Sequence, residues 1–397
     1  MNETILPKEW KWVKLATVAE ITSSKRIFQH EYVSNGIPFY RTKEIKELSE
    51  GKDLTFDLFI SNEKYNEIKN RFAIPKKGDI LLSAVGTIGI SYIIKNDEPF
   101  YFKDGNLMWL RNLNGIDSKF LSYGLTNFIK NRKGAKTSGS AYSALTIETI
   151  KNFKFPLPPL QTQEAIVSKI EELFSELDKG IEDLKTAQQQ LKTYRQSVLK
   201  WAFEGKSKLA IGVLFDFVGG GTPSKQVPNY WIGDIPWASV KDVKGDYLND
   251  TIDRISEEGL KNSSANIANK DEVILITRIS PGKAIITNIR AAINQDLKVV
   301  KPKFETTSKF IFYVFQAIER ECVKKSNGTT VLGINLTSLK EIQVPILKIE
   351  EQNLIVQEIE SRLSVADKME ESIVQSLQQA EALRQSILKK AFSGELV

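Results

Sequence analysis

Two long stretches of the chain carry apolar residues at steps of three and four. In the first stretch they lie at 166, 170, 173, 177, 184, 187, 191, 194 and 198, and in the second at 355, 359, 366, 369, 373, 380, 383 and 387. Such a narrow heptad seam is typical of a helix that pairs with another helix. Prolines at 156, 158, 159 and 345 precede the seams, and Gly205 and Gly394 follow them. We therefore predict two helices of about 40 residues, or about 60 Å each.

The same stretches form an internal repeat. Residues 139–205 align without a gap on 328–394 at a constant offset of 189, and 22 of the 67 pairs are identical. The agreement is best at the ends, where RQSVLK at 195–200 matches RQSILK at 384–389. A duplicated chain with two seams favours antiparallel pairing of the two helices. The alternative is that each amphipathic helix packs separately on its own domain.

The regions that precede the helices have a different pattern. Short apolar runs, such as those at 79–83 and 272–277, alternate with Gly, Asn and Pro, which indicates strands and turns. GIPF at 36–39 corresponds to DIPW at 234–237, but outside such landmarks the two regions diverge. We predict an α+β protein in which two α/β domains form a pseudo-two-fold repeat, joined and separated by two long helices in an antiparallel coiled coil. The predicted boundaries are 1–155 for the first domain, 156–205 for the first helix, 206–344 for the second domain and 345–397 for the second helix.

Composition excludes several kinds of chemistry. One cysteine, Cys322, and one histidine, His30, cannot build a Cys/His zinc cluster or an internal disulfide. The N-terminal residues lack the pattern of a signal peptide, and no apolar run reaches the length of a membrane span. We expect a soluble, cytoplasmic chain that has no membrane partner.

The charge is distributed unevenly along the chain. The net charge is +6, but segments 161–205 and 350–394 together carry −5, so the remainder carries +11. An excess of positive charge outside the helices is what a surface that contacts phosphates needs.

Several motifs resemble one known family. They are LPKEWKWVKL at 6–15, GDILLS at 78–83 leading into GTIG at 86–89, FPLPPL at 155–160, GGTPS at 220–224 and NYWIGDIPW at 229–237. In this order they resemble the specificity subunits of type I restriction–modification systems. Two local departures are ITSSK at 21–25, where the second half is glycine-rich, and Ala84 after Ser83, where Arg278 follows Thr277.

The resemblance implies a non-catalytic, DNA-binding function in restriction and phage defence. Each variable region would be a target recognition domain that reads one half of an interrupted site in double-stranded DNA. The helices would space these domains and dock two modification subunits, which methylate adenine, and the motor–nuclease restriction subunits would join through them. S-adenosylmethionine, ATP and Mg would bind to those partners, so we expect no cofactor, metal or catalytic residue in this chain.

Two other functions stay open at this point. FVGGG at 217–221 fits the loose F-x-G-x-G pattern of a methyltransferase cofactor loop, although no D/N-P-P-Y/F motif accompanies it. The chain could therefore be a self-sufficient DNA methyltransferase. It could also be a coiled-coil scaffold or adaptor with no DNA role.

The candidate DNA contacts are Arg or Lys residues beside small polar residues in loops, because these side chains can reach base edges or phosphates. In the first domain they are Ser23, Ser24, Lys25, Arg26, Arg41, Thr42, Lys43, Lys133 and Lys136. In the second domain they are Thr222, Ser224, Lys225, Lys241, Arg278, Lys283, Lys324, Lys325 and Asn327. The shared helix ends supply the candidate partner contacts, which are Arg195, Gln196, Phe203, Arg384, Gln385 and Phe392. The alternative for these ends is that they pack against their own half.

Overall fold

The protein is described by a computed structural model, which covers residues 6–131, 145–328 and 330–397. The chain divides into two compact units. Unit 1 comprises Met1–Leu184 with Gln375–Val397, and unit 2 comprises Lys185–Val374. Both long helices contribute residues to both units. The predicted domain boundaries stay a prediction.

Unit 1 combines short strands with four helices that precede the first long helix. Its strands are β1 (Lys11–Lys14), β2 (Glu20–Thr22), β3 (Tyr32–Val33), β4 (Ile37–Tyr40), β5 (Phe59–Ile60), β6 (Ile80–Ser83), β7 (Ser91–Ile93), β8 (Tyr101–Phe102), β9 (Leu107–Arg111) and β10 (Lys154–Leu157). Its helices are α1 (Thr42–Ser49), α2 (Asn62–Arg71), α3 (Ser118–Asn131) and α4 (Ile147–Lys151), with 3₁₀ turns at Leu15–Thr17 and Gln29–Glu31. The first long helix is α5 (Leu160–Ala202).

Three sheets organise the strands of unit 1. Their orders are β2-β9-β6-β7, β3-β5-β4-β8 and the pair β1-β10. Strand β6 is buried along its whole length, as its run of Ile and Leu predicts. The largest apolar cluster packs helix α3 against the first sheet and includes Ile166 and Phe392 from the long helices. The core therefore fixes the helix ends to the domain.

Unit 2 repeats this arrangement. Its strands are β11 (Lys208–Ala210), β12 (Phe215–Gly219), β13 (Ile235–Ala238), β14 (Tyr247–Leu248), β15 (Asp253–Ile255), β16 (Asn266–Ala268), β17 (Val273–Ile276), β18 (Ala284–Thr287), β19 (Ala291–Ile293), β20 (Leu297–Pro302) and β21 (Gln343–Pro345). Its helices are α6 (Ile211–Leu214), α7 (Glu257–Lys261), α8 (Ser308–Lys324) and α9 (Leu336–Lys340), with 3₁₀ turns at Pro228–Trp231 and Val240–Asp242. The second long helix is α10 (Ile349–Ser393).

The sheets of unit 2 have the orders β12-β20-β17-β18-β14, β15-β13-β19-β16 and β11-β21. Strand β4 pairs in parallel with β8 at Phe39 and Tyr101, and β13 pairs in parallel with β19 at Trp237 and Ala292. The IPF and IPW motifs therefore occupy equivalent strands. The duplication predicted from the helices extends through the sheets of both domains.

One buried glutamine anchors the start of each long helix. Gln163 and Gln352 are fully buried and lie 189 residues apart. The side-chain amide of Gln163 donates to the carbonyls of Gly115 (3.0 Å) and Pro158 (2.9 Å), and its oxygen accepts from the backbone N–H of Asp117 (2.8 Å). Gln352 makes the same number of bonds, at 2.8–3.0 Å, to residues 305, 306 and 347.

The long helices run antiparallel within each unit. In unit 2, Arg195 forms ion pairs with Asp367 (2.6 Å) and Glu370 (2.8 Å), and Trp201, further along α5, lies under Arg362 at 4.0 Å, earlier along α10. In unit 1 the equivalent ion pair joins Arg384 of α10 to Asp178 of α5. The helix that supplies the arginine in one unit therefore supplies the carboxylate in the other. The predicted α+β class, the duplicated domains and the long helices are confirmed.

The prediction of which residues form the helix seam is wrong at one turn of each long helix. Tyr194 and Leu383, which occupy equivalent positions of the repeat, are 40% and 52% exposed, and Met369 is 55% exposed. At that turn the next residue, Arg195 or Arg384, reaches the opposite helix instead. A salt-bridged arginine with an apolar stem can fill a seam position, so counting only apolar residues shifted the predicted contact by one residue.

Across the described residues, no helix combines the length and the apolar character needed to cross a membrane.

Candidate nucleic-acid interface

Three loops leave the sheets at equivalent places in the two units. They are 23–26 and 219–222 after β2 and β12, 41–43 and 239–241 after β4 and β13, and 84–89 and 277–282 after β6 and β17. Strand registers and backbone hydrogen bonds fix the equivalences of the second and third loops, and the first loops are matched by counting from the paired strands β2 and β12.

The 23–26 loop of unit 1 is tied down by its own polar groups. Ser23 Oγ donates to the carbonyl of Leu107 (3.2 Å), and the backbone N–H of Lys25 donates to the hydroxyl of Tyr101 (2.8 Å). Arg26 pairs with Asp104 at 2.9 Å, yet its side chain stays 68% exposed. Arg26 therefore presents an oriented guanidinium to solvent. Ser24 is buried, and the Lys25 ammonium lies 4.6 Å from the ring centre of Phe72.

The 41–43 loop opens helix α1 with a charged cap. The backbone N–H of Arg41 donates to Glu44 (2.7 Å), and its guanidinium donates to Glu44 (2.6 Å) and Asp57 (2.5 Å). Burial would raise the pKa of Glu44, but the hydrogen bonds from Arg41 outweigh it and hold that pKa below its usual value. Thr42 Oγ1 is buried without a partner in the described structure, whereas Lys43 is exposed.

In unit 2 the first loop is built by close backbone approach. A Cβ on Gly220 would lie 2.1 Å from the carbonyl oxygen of Ile293, and one on Gly221 would lie 2.1 Å from Ser264 Oγ. Packing thus accounts for the glycines of the FVGGG motif. The hydroxyl of Thr222, at the position of Arg26, donates to the side-chain oxygen of Gln295 (2.6 Å).

The second loop of unit 2 has a carboxylate cap at the same place as in unit 1, but the capped residue is uncharged. Asp242 accepts from the backbone N–H of Ser239 (2.8 Å) and from its hydroxyl (3.0 Å), where unit 1 has Arg41 and Glu44. Lys241 is exposed at the position equivalent to Lys43. Both halves therefore present a lysine from the same turn.

The third loop of unit 2 carries Arg278. Its side chain is 56% exposed and has one ion pair, at 3.4 Å, with Asp296. Its backbone forms a β-bridge to Gly333, which also pairs with Asn327. Arg278 and Asn327, with 48 residues between them in sequence, therefore lie on either side of the same short segment.

The registers correct the alignment of this loop between the halves. The backbone N–H of Ala84 donates to Asn106, as that of Thr277 donates to Asp296, both at 2.9 Å. Val85, not Ala84, therefore corresponds to Arg278. The sequence alignment was shifted because it matched two hydroxyl residues, Ser83 and Thr277, that lie one position apart.

The remaining candidates stay predictions of DNA contact. Ser224, Lys225, Lys324 and Lys325 are exposed, and Lys283 is half-buried. Lys133 and Lys136 lie outside the described residues.

Sequence reasoning missed Gln295 and Lys298, which lie under the loops of unit 2. Lys298 Nζ donates to the carbonyls of Gln295 (2.6 Å) and Leu297 (3.2 Å). Burial lowers the pKa of Lys298, although Asp296 opposes this shift. The polar run NQD at 294–296, between two apolar strands, was the signal that could have pointed to this site.

The candidate partner residues have internal contacts. Phe203 and Phe392 are 5% and 8% exposed and pack in the cores of their own units. Arg195 and Arg384 form the ion pairs between the helices described above. Gln385 donates to Glu381 at 3.2 Å, and Gln196 is exposed. Partner contact at these positions stays a prediction. The alternative that they pack against their own half is wrong for the two phenylalanines, because Phe203 of the first half packs against Phe310 of the second domain, and Phe392 of the second half packs against Phe120 of the first domain.

A family model for the type I restriction modification DNA specificity domain matches the chain twice, at residues 7–186 and 204–379. The chain belongs to this family. The resemblance seen in the motifs is thereby confirmed, and the two matches coincide with the two halves of the repeat. The family places this specificity subunit with the recognition components of restriction–modification systems and not with the catalytic ones.

Individual relatives agree with this assignment. A type I restriction enzyme specificity subunit of Haemophilus influenzae is 34% identical over 197 residues, which cover 48% of this chain and 48% of the relative. The chain thus matches about half of that relative's length. The MjaX specificity subunit of Methanocaldococcus jannaschii is 24% identical over 420 residues, covering 98% of this chain and 94% of the relative.

The fold has a solved counterpart. A chain solved in work on complex assembly and conformational transition of the type I R-M system superposes with a TM-score of 0.76 at 20% identity, covering 98% of this chain and 99% of that chain. At this identity the likeness shows the fold alone.

Proposed function

We propose that this specificity subunit binds a bipartite, interrupted DNA site and that each target recognition domain reads one half. The observation that carries the proposal is the set of three loops that leave equivalent strands and display different side chains. Arg26 and Thr222 occupy one position, and Arg41 and Ser239 another. Two domains with the same fold but different exposed side chains are suited to binding two different DNA sequences.

The exposed cations on these loops fit DNA. Arg26 and Arg278 are oriented by carboxylates but remain more than half exposed, so each guanidinium can reach guanine O6 and N7 in the major groove. Lys43 and Lys241 lie at the same turn of the two domains, where a phosphate contact would position both domains in the same way.

The proposal includes docking of two adenine methyltransferase subunits on the long helices, and of the restriction subunits through them. S-adenosylmethionine, ATP and Mg belong to those partners. Tyr194 and Leu383 support this part, because an exposed apolar side chain recurs at the same position of each helix. Arg195 and Arg384 lie next to them and stay candidates for the same contact.

A domain exchange tests DNA reading. Residues 206–344 are replaced by the equivalent segment of another specificity subunit, and methylated adenines are mapped genome-wide. We expect one half of the methylated motif to change and the other to persist; exchanging 1–155 is the matched control and should change the opposite half. An unchanged motif would support the scaffold alternative, and a change in both halves would refute modular reading.

Docking is tested on the exposed helix positions. Tyr194→Glu and Leu383→Glu should each release one modification subunit from the assembled complex, as native mass spectrometry would show. Val365→Glu is the matched control, because Val365 is an exposed apolar residue of α10 and its repeat position, Glu176, is already charged. Full stoichiometry in both test variants would count against docking at this surface.

A further inference from the structure

The third loop has the same backbone conformation in both halves but a different residue at one position. In loop 84–89 the third residue is Gly86, with φ +77°, and in loop 277–282 it is Ile279, with φ +74°. The loops close in the same way, because Gly89 donates to Ser83 and Gly282 donates to Ile276, both at 2.9 Å. One half therefore fills a left-handed position with glycine and the other with isoleucine.

Ile279 is an unfavourable choice for this conformation. A β-branched residue at positive φ crowds its own backbone, whereas glycine adopts the region freely. Burial does not explain the isoleucine, because its side chain is 57% exposed. A backbone hydrogen bond from Ile279 to the carbonyl of Leu332 (2.8 Å) holds the loop in place. Strain of this kind is concentrated at functional sites.

The surroundings of Ile279 combine apolar and cationic groups. Val331 and Leu332, on the adjoining segment, are 40% and 44% exposed. Arg278 precedes Ile279 directly, and Asn327 pairs through Gly333 with the same segment. An exposed apolar tip beside an exposed guanidinium is complementary to a DNA groove, where negative phosphates flank the base edges.

We propose that Ile279 contacts the C5 methyl group of a thymine in the half-site that the second domain reads. The inference rests on the proposed function and names a base group for one of its loops. The thymine methyl is the apolar group that base edges present in the major groove, and aliphatic side chains recognise it by contact. Gly86 has no side chain, so the first domain lacks this contact at its equivalent loop.

The test is a comparison of Ile279→Gly with the unchanged chain in the assembled modification complex. The probe is a duplex with the methylated motif, as mapped in the genome, in which thymines are replaced one at a time by uracil, which lacks only the methyl group. We expect one replacement in the second domain's half-site to weaken binding by the unchanged complex about fourfold, the effect of one buried methyl group. The Ile279→Gly complex should bind both duplexes equally.

Two controls keep the result interpretable. Glycine suits this turn, as Gly86 demonstrates, so the thermal unfolding of Ile279→Gly should match or exceed that of the unchanged chain. Uracil in the other half-site should affect both complexes alike. If Ile279→Gly abolishes binding, Ile279→Ala, which keeps Cβ, takes its place in the same comparison.

Two results would overturn the proposal: equal uracil effects in both complexes, or release of a modification subunit by Ile279→Gly with unchanged DNA affinity. The last result would assign the apolar tip to a protein contact. Binding that still depends on both half-sites would leave the proposed function intact in each case.

Discussion

The two recognition domains share the strands that carry their loops but not the side chains that those loops display. Arg26 pairs with Asp104 in unit 1, while Thr222 at the same position pairs with Gln295 in unit 2. Both second loops are capped, by Glu44 in one unit and by Asp242 in the other. In the second loop the carboxylate caps a backbone N–H in both units, so the exposed side chains can differ while the cap is kept.

The buried glutamines show the opposite behaviour. Gln163 and Gln352 are identical in the two halves, and each buried side chain makes three hydrogen bonds to neighbouring segments. An apolar replacement would remove these three hydrogen bonds, each with a net contribution of about 1 kcal/mol. We therefore expect these two glutamines to stabilise the junction between each long helix and the domain that precedes it.

The largest expected effect concerns these glutamines. Gln163→Leu and Gln352→Leu should each lower the free energy of unfolding by about 3 kcal/mol, because each removes three hydrogen bonds. Hydrogen exchange should quicken in 6–131 for Gln163→Leu and in 206–328 for Gln352→Leu. Gln189→Leu and Gln378→Leu, an exposed identical pair of the repeat, are the matched controls and should change little. A large difference in unfolding free energy between the Gln163→Leu and Gln352→Leu variants would show that the two glutamines are not equivalent.

A smaller effect is expected at the charged cap of unit 1. Glu44→Gln should cost about 2 kcal/mol at pH 7, because hydrogen bonds from Arg41 to a charged acceptor are lost. The pKa of Glu44 is lowered on folding, so its contribution is complete above the unfolded value of about 4.3 and disappears as the pH falls through the folded pKa. Urea unfolding from pH 7 to pH 2 should show the gap between variant and unchanged chain closing.

The cap of unit 2 provides the comparison. Asp242 accepts from Ser239 and from the backbone of Ile252, and none of these donors is charged. Asp242→Asn should therefore cost less, about 1 kcal/mol. Equal losses of unfolding free energy in the two variants would show that Arg41 does not strengthen the cap of unit 1.

A pair of substitutions, of which Ile279→Gly has the smallest expected effect, tests the left-handed position of the third loop. Gly86→Ile should lower stability by about 1–2 kcal/mol, because its Cβ meets nothing within 4 Å and only backbone strain is added. Ile279→Gly should raise stability by less than 1 kcal/mol, since the freedom of glycine in the unfolded chain offsets part of the relief. Gly245→Ala, in open space and without positive φ, controls for the loss of a glycine and should be neutral or slightly stabilising in thermal unfolding.

The duplication, the two long helices and the strand runs at 79–83 and 272–277 could be predicted from the sequence alone. Each of these is a local or periodic signal, since a gapless repeat and a heptad seam are read from neighbouring positions along the chain. The motifs also determined the family, because their order is repeated in both halves. Gln163 lies just after the FPLPPL motif, but its burial and two of its three hydrogen bonds depend on a segment about 45 residues away.

Tertiary structure alone decided which residues occupy each place in the site. It placed Arg195 rather than Tyr194 against the opposite helix, because Asp367 and Glu370 on that helix pair with the guanidinium. It matched Arg278 with Val85, because register follows from hydrogen bonds between distant strands rather than from similar residue types. It also set Ile279 in a left-handed turn, since φ at that position is imposed by bonds to segments 276 and 332, which are not visible in local sequence.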